Sequence, residues 1–178
     1  LEAWIKEQNK ETFTLLHTYD FCSSSGTLGP KRKEGDLQIP EGVYHINHFN
    51  PLSNFHLSLG VSYPNNSDKI LSDQQHPGGA IYVHGNCVTI GCIPITDDKI
   101  KELYVLAVEA RNNGQQKIPI HIFPSRLDQT GMALLKQKYT ASPGLITFWE
   151  NLRPVYQDFE DVKKIKSVKV NSKGEYYF

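Results

Sequence analysis

"AIYVHGNCVTIGCIP", Ala80 to Pro94, is the stretch on which the reading of this chain turns. Its first residues are aliphatic and aromatic and read as a buried strand ending at His84-Gly85. A short polar interval leads to Gly91-Cys92. Beyond it the pattern becomes helical. Thr96 is the expected N-cap, and Asp97 and Asp98 fall in the first turn, where the helix dipole favours acids. Ile100, Leu103, Tyr104, Ala107 and Val108 then recur at helical spacing, with Gly114 as a stop. Cys92 therefore stands where a strand gives way to a turn before a helix.

Several chemistries fit these residues. Cys92 can be a nucleophile, with Gly91 giving a substrate carbonyl close access and backbone N–H groups of Gly91 and Cys92 forming an oxyanion hole. A thiol in that role needs a base, and His84 is near in sequence. Cys92 can equally be an inert buried thiol. His84, Cys87 and Cys92 can also begin a zinc site with His121 or His76 as a further ligand, although no second tight ligand pair exists. A Cys22–Cys87 disulfide is a further reading; it requires an oxidising compartment and leaves Cys92 free. With three cysteines in the chain, at least one thiol lacks an intrachain partner.

Outward from this stretch, "LEAWIKEQNKETFTLLHTYDFC" predicts a hairpin turning near Gln8 to Glu11. "SSSGTLGPKRKEGDLQIPEG" is rich in Gly, Pro and Ser and predicts a long surface loop of the functional kind. "VYHINHF" and "FHLSLGVSY" read as strands, "PNNSDKILSDQQHPGG" as another loop, and "IPIHIF" as a strand. A short helix is expected over 130–139. A longer apolar-periodic segment follows from Leu145 to Phe159, kinked or split at Pro154. "SVKVNSKGEYYF" predicts a terminal hairpin.

The 178 residues suit one α+β domain spanning 1–178, with the helices and hairpin from about 128 as an extension. Nineteen basic residues balance nineteen acidic ones, so no global charge favours nucleic acid as a partner. No apolar run approaches the roughly 20 residues of a transmembrane helix. The chain opens at "LEAWIKEQ" without an export signal, as an exported protein does after cleavage.

"VHGNCVTIGC" resembles the active-site signature of the L,D-transpeptidase catalytic domain family (YkuD-like), in particular its YafK-like branch. His84-Gly85 matches the His-Gly element, and Thr89-Ile90-Gly91-Cys92 matches the Ser/Thr-x-Gly-Cys element. "SGTLGPKRKEGDLQIPEGVYHI", "FHLSLGVSYPN", "TDDKIKELY", "PIHIFPSRL" and "FWENL" extend the similarity over most of residues 1–160. The resemblance implies a mostly β domain with flanking helices, in the cell envelope or periplasm, acting on peptidoglycan stem peptides without a cofactor or metal. It implies Cys92 as nucleophile, His84 as base and the Gly85 carbonyl as third member of the triad. A thioester would form and be resolved by an amine or by water. An envelope lipoprotein joined to peptidoglycan is a candidate partner. Thr89, Lys31, His56 and Tyr63 are candidate substrate-binding residues from motif context. Two departures from the family pattern stand out: Ile90 where many members carry a second histidine, and Pro94 where they carry an arginine. A non-catalytic envelope or peptidoglycan-binding module with the same fold is the alternative.

Overall fold

The computed structural model describes residues 1–178. The first two strands, β1 (Glu2–Ile5) and β2 (Thr14–Thr18), form the expected antiparallel hairpin. After a long irregular segment come β3 (Gly42–Ser53), β4 (His56–Val61), α1 (Asn66–Leu71), β5 (Tyr82–His84) and β6 (Ile93–Pro94). Then follow α2 (Asp97–Asn112), β7 (Ile118–Ile122), α3 (Gln129–Lys138) and α4 (Pro143–Val162). The hairpin β8 (Lys169–Val170) and β9 (Tyr176–Tyr177) closes the chain. The architecture is mixed α+β. Its central sheet runs β6-β5-β4-β3-β7, antiparallel throughout except for the parallel β5–β6 pair.

Alternation along the strands decides which face is covered. Leu59, Val61, Val83 and Ile93 point to one side, where Ile95 and α2 residues Ile100 and Ala107 complete a buried cluster. Phe49 joins from β3 and meets Tyr104 edge-on at 5.7 Å between ring centroids. A second cluster combines Met132 and Leu135 of α3, Trp149, Leu152 and Val155 of α4, and Leu127 and Tyr176.

Buried polar groups join these clusters through the irregular segment. The Trp149 indole N–H and the Gly29 backbone N–H each donate to the buried Glu41 carboxyl at 2.7 Å. Asp68, also buried, accepts from the Tyr44 hydroxyl at 2.9 Å and from Arg32 Nη1 at 3.2 Å.

Three expectations are corrected. Residues 66–71 are helical and not loop: the Asn65 side chain accepts the Asp68 N–H, and the Asp68 carboxylate accepts the Asn65 N–H, a capping box that nucleates α1. Thr96 precedes α2 but its side chain caps nothing, because its backbone is held at φ +73°. The segment around Pro154 is one helix and is not split in two. Pro154 is exposed, so water can serve the carbonyl it leaves without a donor.

Burial pushes Glu41 up from its ordinary 4.5 to about 7, against the hydrogen bonds from Trp149 and Gly29. Between those two values the folded chain keeps a proton that the unfolded chain releases. The contribution is therefore full below about 4.5 and falls away as pH rises through 7, by about 3 kcal/mol. Glu41→Gln is expected to remove this decline. Urea unfolding at pH 4.5 and 7.5 checks it, and parallel pH dependence in variant and parent would exclude Glu41 as its source.

Candidate active site

Strand register places the candidate residues. Along the sheet His84 pairs with Ser58 and Ser58 with Asn50; Tyr82 pairs with Gly60 and Gly60 with His48. Val83, Leu59 and Phe49 lie between these two rows and face the core, so both rows face the other way. On β6, Ile93 pairs with Val83 and Pro94 with His84. Cys92, one residue before Ile93, thus extends the Tyr82 row. The Tyr82 backbone N–H points at its sulfur. Cys92 and His84 are diagonal neighbours on adjacent strands, a relation that brings Cβ atoms to about 7 Å and side-chain ends closer.

The His84 ring is buried, and its Nδ1 lies 2.5 Å from the Gly85 carbonyl. A carbonyl only accepts, so Nδ1 carries the hydrogen, and in the neutral ring Nε2 is the nitrogen left to accept one. Phe55, from the β3–β4 turn, stacks against this ring at 4.7 Å between centroids. Gly85 has no room for a side chain: a Cβ would lie 2.5 Å from Asp97 Oδ1 and 2.8 Å from the Phe55 carbonyl.

Cys92 is the free thiol of the chain, and its Sγ lies 3.6 Å from the Ala80 carbonyl. Burial raises its pKa above the ordinary 9.0, with the Tyr82 N–H and the Lys31 charge opposing. The resting group is a thiol. Thr89 braces the turn: its hydroxyl donates to the Cys92 carbonyl at 2.8 Å and accepts the Gly91 N–H at 3.1 Å. The Gly91 N–H, expected as an oxyanion donor, is therefore already engaged. The Cys92 N–H donates to no acceptor in the chain and is the open donor. Gly91 itself sits at φ +135°, where a side chain would be strained and its Cβ would come within 3.1 Å of the Gln38 carbonyl.

Cys22 and Cys87 form a disulfide, with Cα atoms 5.4 Å apart. That bond occupies Cys87 and removes it from the zinc-ligand set considered above. It also straps residues 19–22 over the site loop. Cys22 N–H donates to the Pro94 carbonyl at 3.2 Å, and Lys99 Nζ reaches the Asp20 carbonyl at 3.3 Å. Beneath the strap, the Asn86 N–H donates to Asp97 Oδ1 at 2.7 Å.

The remaining candidates play different parts. Lys31 is buried and its ammonium is bound to Asp36 Oδ1 at 2.6 Å and to the Lys33 carbonyl at 3.0 Å. The Tyr63 hydroxyl is engaged with the Pro77 carbonyl at 2.8 Å, holding the loop that leads to Ala80. His56, at φ +72°, sits against Gly85 at the mouth, its Cβ 3.1 Å from where a Gly85 Cβ would be. Sequence reasoning missed Phe55 and Tyr82. The only signal for either is an aromatic residue at or next to a histidine-bearing strand.

A family model, the YkuD L,D-transpeptidase catalytic domain, matches residues 3–122 of the chain. The chain belongs to the YkuD L,D-transpeptidase family. Curated relatives named "Putative L,D-transpeptidase YafK", from Escherichia coli K12 and from Escherichia coli O157:H7, are each 33% identical over 162 residues. The match takes in 90% of this chain and 63% of theirs, so the chain spans under two thirds of these relatives' length. Among solved structures, the helical cell shape determining protein Pgp2 from Campylobacter jejuni matches with a TM-score of 0.50 and 18% identity, covering 96% of this chain and 68% of that one. That likeness is one of fold. No helix of this YkuD-family chain is long and apolar enough to cross a membrane.

Because burial disfavours the thiolate, alkylation of Cys92 by iodoacetamide is expected to rise with pH through a midpoint above 9.0. A midpoint near neutrality would instead reveal a preformed thiolate. Removing the disulfide with Cys22→Ser and Cys87→Ser frees a 65-residue loop, expected to cost about 4 kcal/mol in the chain-entropy account. Urea unfolding reads this directly, and an unmoved midpoint would show that the strap adds no stability.

Proposed function

We propose that this domain is a cysteine acyl-transfer enzyme acting on amide bonds of peptidoglycan stem peptides. The observation that carries the reading is the free Cys92 thiol, with its own N–H unengaged, one row from a His84 whose Nδ1 is fixed by the Gly85 carbonyl. Membership of the YkuD family and the similarity to YafK support the substrate class.

The chemistry follows from the resting protonation. Cys92 holds its proton, so the attack of Sγ on the substrate carbonyl requires transfer of that proton to His84 Nε2. The C–S bond forms as the carbonyl π-pair moves to oxygen, and the Cys92 N–H faces the developing oxyanion. Collapse breaks the C–N bond, and the imidazolium gives its proton to the leaving amine. The resulting thioester is resolved by a second amine in L,D-transpeptidation or by water in hydrolysis, with His84 again taking the proton. The diaminopimelate-centred bonds of the stem peptide are the proposed targets. An envelope lipoprotein attached to peptidoglycan presents the same amide in protein-linked form. Such a substrate places the enzyme in the periplasm or cell envelope, where a disulfide such as Cys22–Cys87 persists. A binding module needs neither an unpaired thiol nor an imidazole beside it.

With a carbapenem, the parent protein is expected to gain one acyl adduct by intact mass and Cys92→Ala none. An adduct on Cys92→Ala would remove Cys92 from the nucleophile role. His84→Ala is expected to slow adduct formation about 100-fold or more. An unchanged rate would point to a different base.

A further inference from the structure

The row that contains Cys92 continues across the open face of the sheet through Tyr82 and Gly60 to His48. Gly60 is the floor of a shallow trough. A Cβ there would lie 2.7 Å from Asn47 Oδ1, 2.8 Å from His48 Cβ and 3.3 Å from Tyr82 Cε1. Because position 60 has no side chain, the Tyr82 ring crosses β4 and meets His48. The Tyr82 hydroxyl and His48 Nδ1 are 3.3 Å apart, and the rings meet at 66° with centroids 6.0 Å apart. Neither side chain makes another hydrogen bond within the chain. His48 is exposed and Tyr82 half-buried, so the donor left by their mutual bond is open to solvent. The other side chains on these rows, Ser58 and Asn50, are uncharged, so no acid within the rows competes for the pair.

We infer that Tyr82 and His48 form a subsite for a carboxylate of the peptide substrate, on the same sheet face as the thiol. With one hydrogen shared between the two rings, the pair keeps one outward donor, polarised by the shared bond, to meet an anion. The subsite lies two to three strand spacings from Cys92, about 10–14 Å. An extended peptide covers that distance in about three or four residues. The carboxylate is therefore one carried away from the reacting carbonyl, and the pair sets specificity while Cys92 and His84 carry the reaction. This inference rests on the proposed peptide substrate.

The test measures binding and needs no turnover. In a Cys92→Ala background, calorimetry gives Kd for a diaminopimelate-containing stem tetrapeptide and for the same peptide with its carboxylates converted to carboxamides. The free acid is expected to bind about tenfold tighter. That ratio should fall towards one with Tyr82→Phe and again with His48→Gln. A merely structural loss would weaken both peptides alike and leave the ratio unmoved, and that result overturns the subsite. A Cys92→Ala protein with no preference for the acid overturns it too. A ratio that collapses as expected, in a protein whose parent turns over no peptide, upholds the subsite and counts against the proposed reaction alone.

Discussion

The site depends on a very short piece of parallel ladder. β6 consists of Ile93 and Pro94, and its pairing with Val83 and His84 fixes Cys92 one row from the imidazole. Two residues of strand are weak in isolation. Here they are held because Ile93 and Val83 are buried in the sheet–α2 core, and because the Ile95 N–H continues the ladder to the His84 carbonyl at 3.0 Å. β6 is also a sheet edge, exposed to unwanted pairing unless covered. Pro94 offers no N–H outward, and its carbonyl is taken by Cys22 on the disulfide strap. The same strap that seals the edge pins the loop between base and thiol.

On the other flank, the irregular segment before β3 is ordered by buried charge where regular hydrogen bonding is missing. Asp36 collects the Lys31 ammonium and the backbone N–H groups of Arg32, Lys33 and Gln38. Burial alone would raise its pKa, but these donors outweigh it and hold the carboxyl below its usual range. Glu41 ties the end of the segment to Trp149 in α4, so the C-terminal helices reach the site through this loop. The contact that matters is the Gln38 carbonyl pressed against Gly91. Removing either partner of the buried Lys31–Asp36 pair leaves an uncompensated charge, so the loop is held in one shape.

Much of this could be read from residue order. The strands around His48 and Leu59, the α2 pattern and the His-Gly and Gly-Cys pairs are local signals, and they suggest the Cys92–His84 relation. What stayed hidden was set by distant partners. Asn65 and Asp68 resemble loop residues until each caps the other. The Lys31-Arg32-Lys33 run falls in a segment that reads as a surface loop, yet Lys31 is buried on Asp36 and Arg32 reaches Asp68. Tyr82 gains its importance only from register, since nothing in sequence says that it shares a row with Gly60 and His48. The engagement of the Gly91 N–H by Thr89 likewise depends on how the turn closes.

Register also explains the two departures from the family pattern. Ile90 is 78% exposed, at the rim of the turn, so a histidine at this position would stand in solvent and not between Cys92 and His84. Pro94 is fully buried in the β5–β6 pairing, and an arginine there would have to bring its charge into the sheet edge. Neither position leaves a gap in the site. With no histidine in this turn, the imidazole one row from the thiol is that of His84 on β5. A buried thiol with one base rests protonated, and a protonated thiol reacts slowly with disulfides and oxidants. That restraint matters in a chain where Cys87, just along the same loop, is already oxidised to Cys22. It keeps the free sulfur distinct from the structural pair.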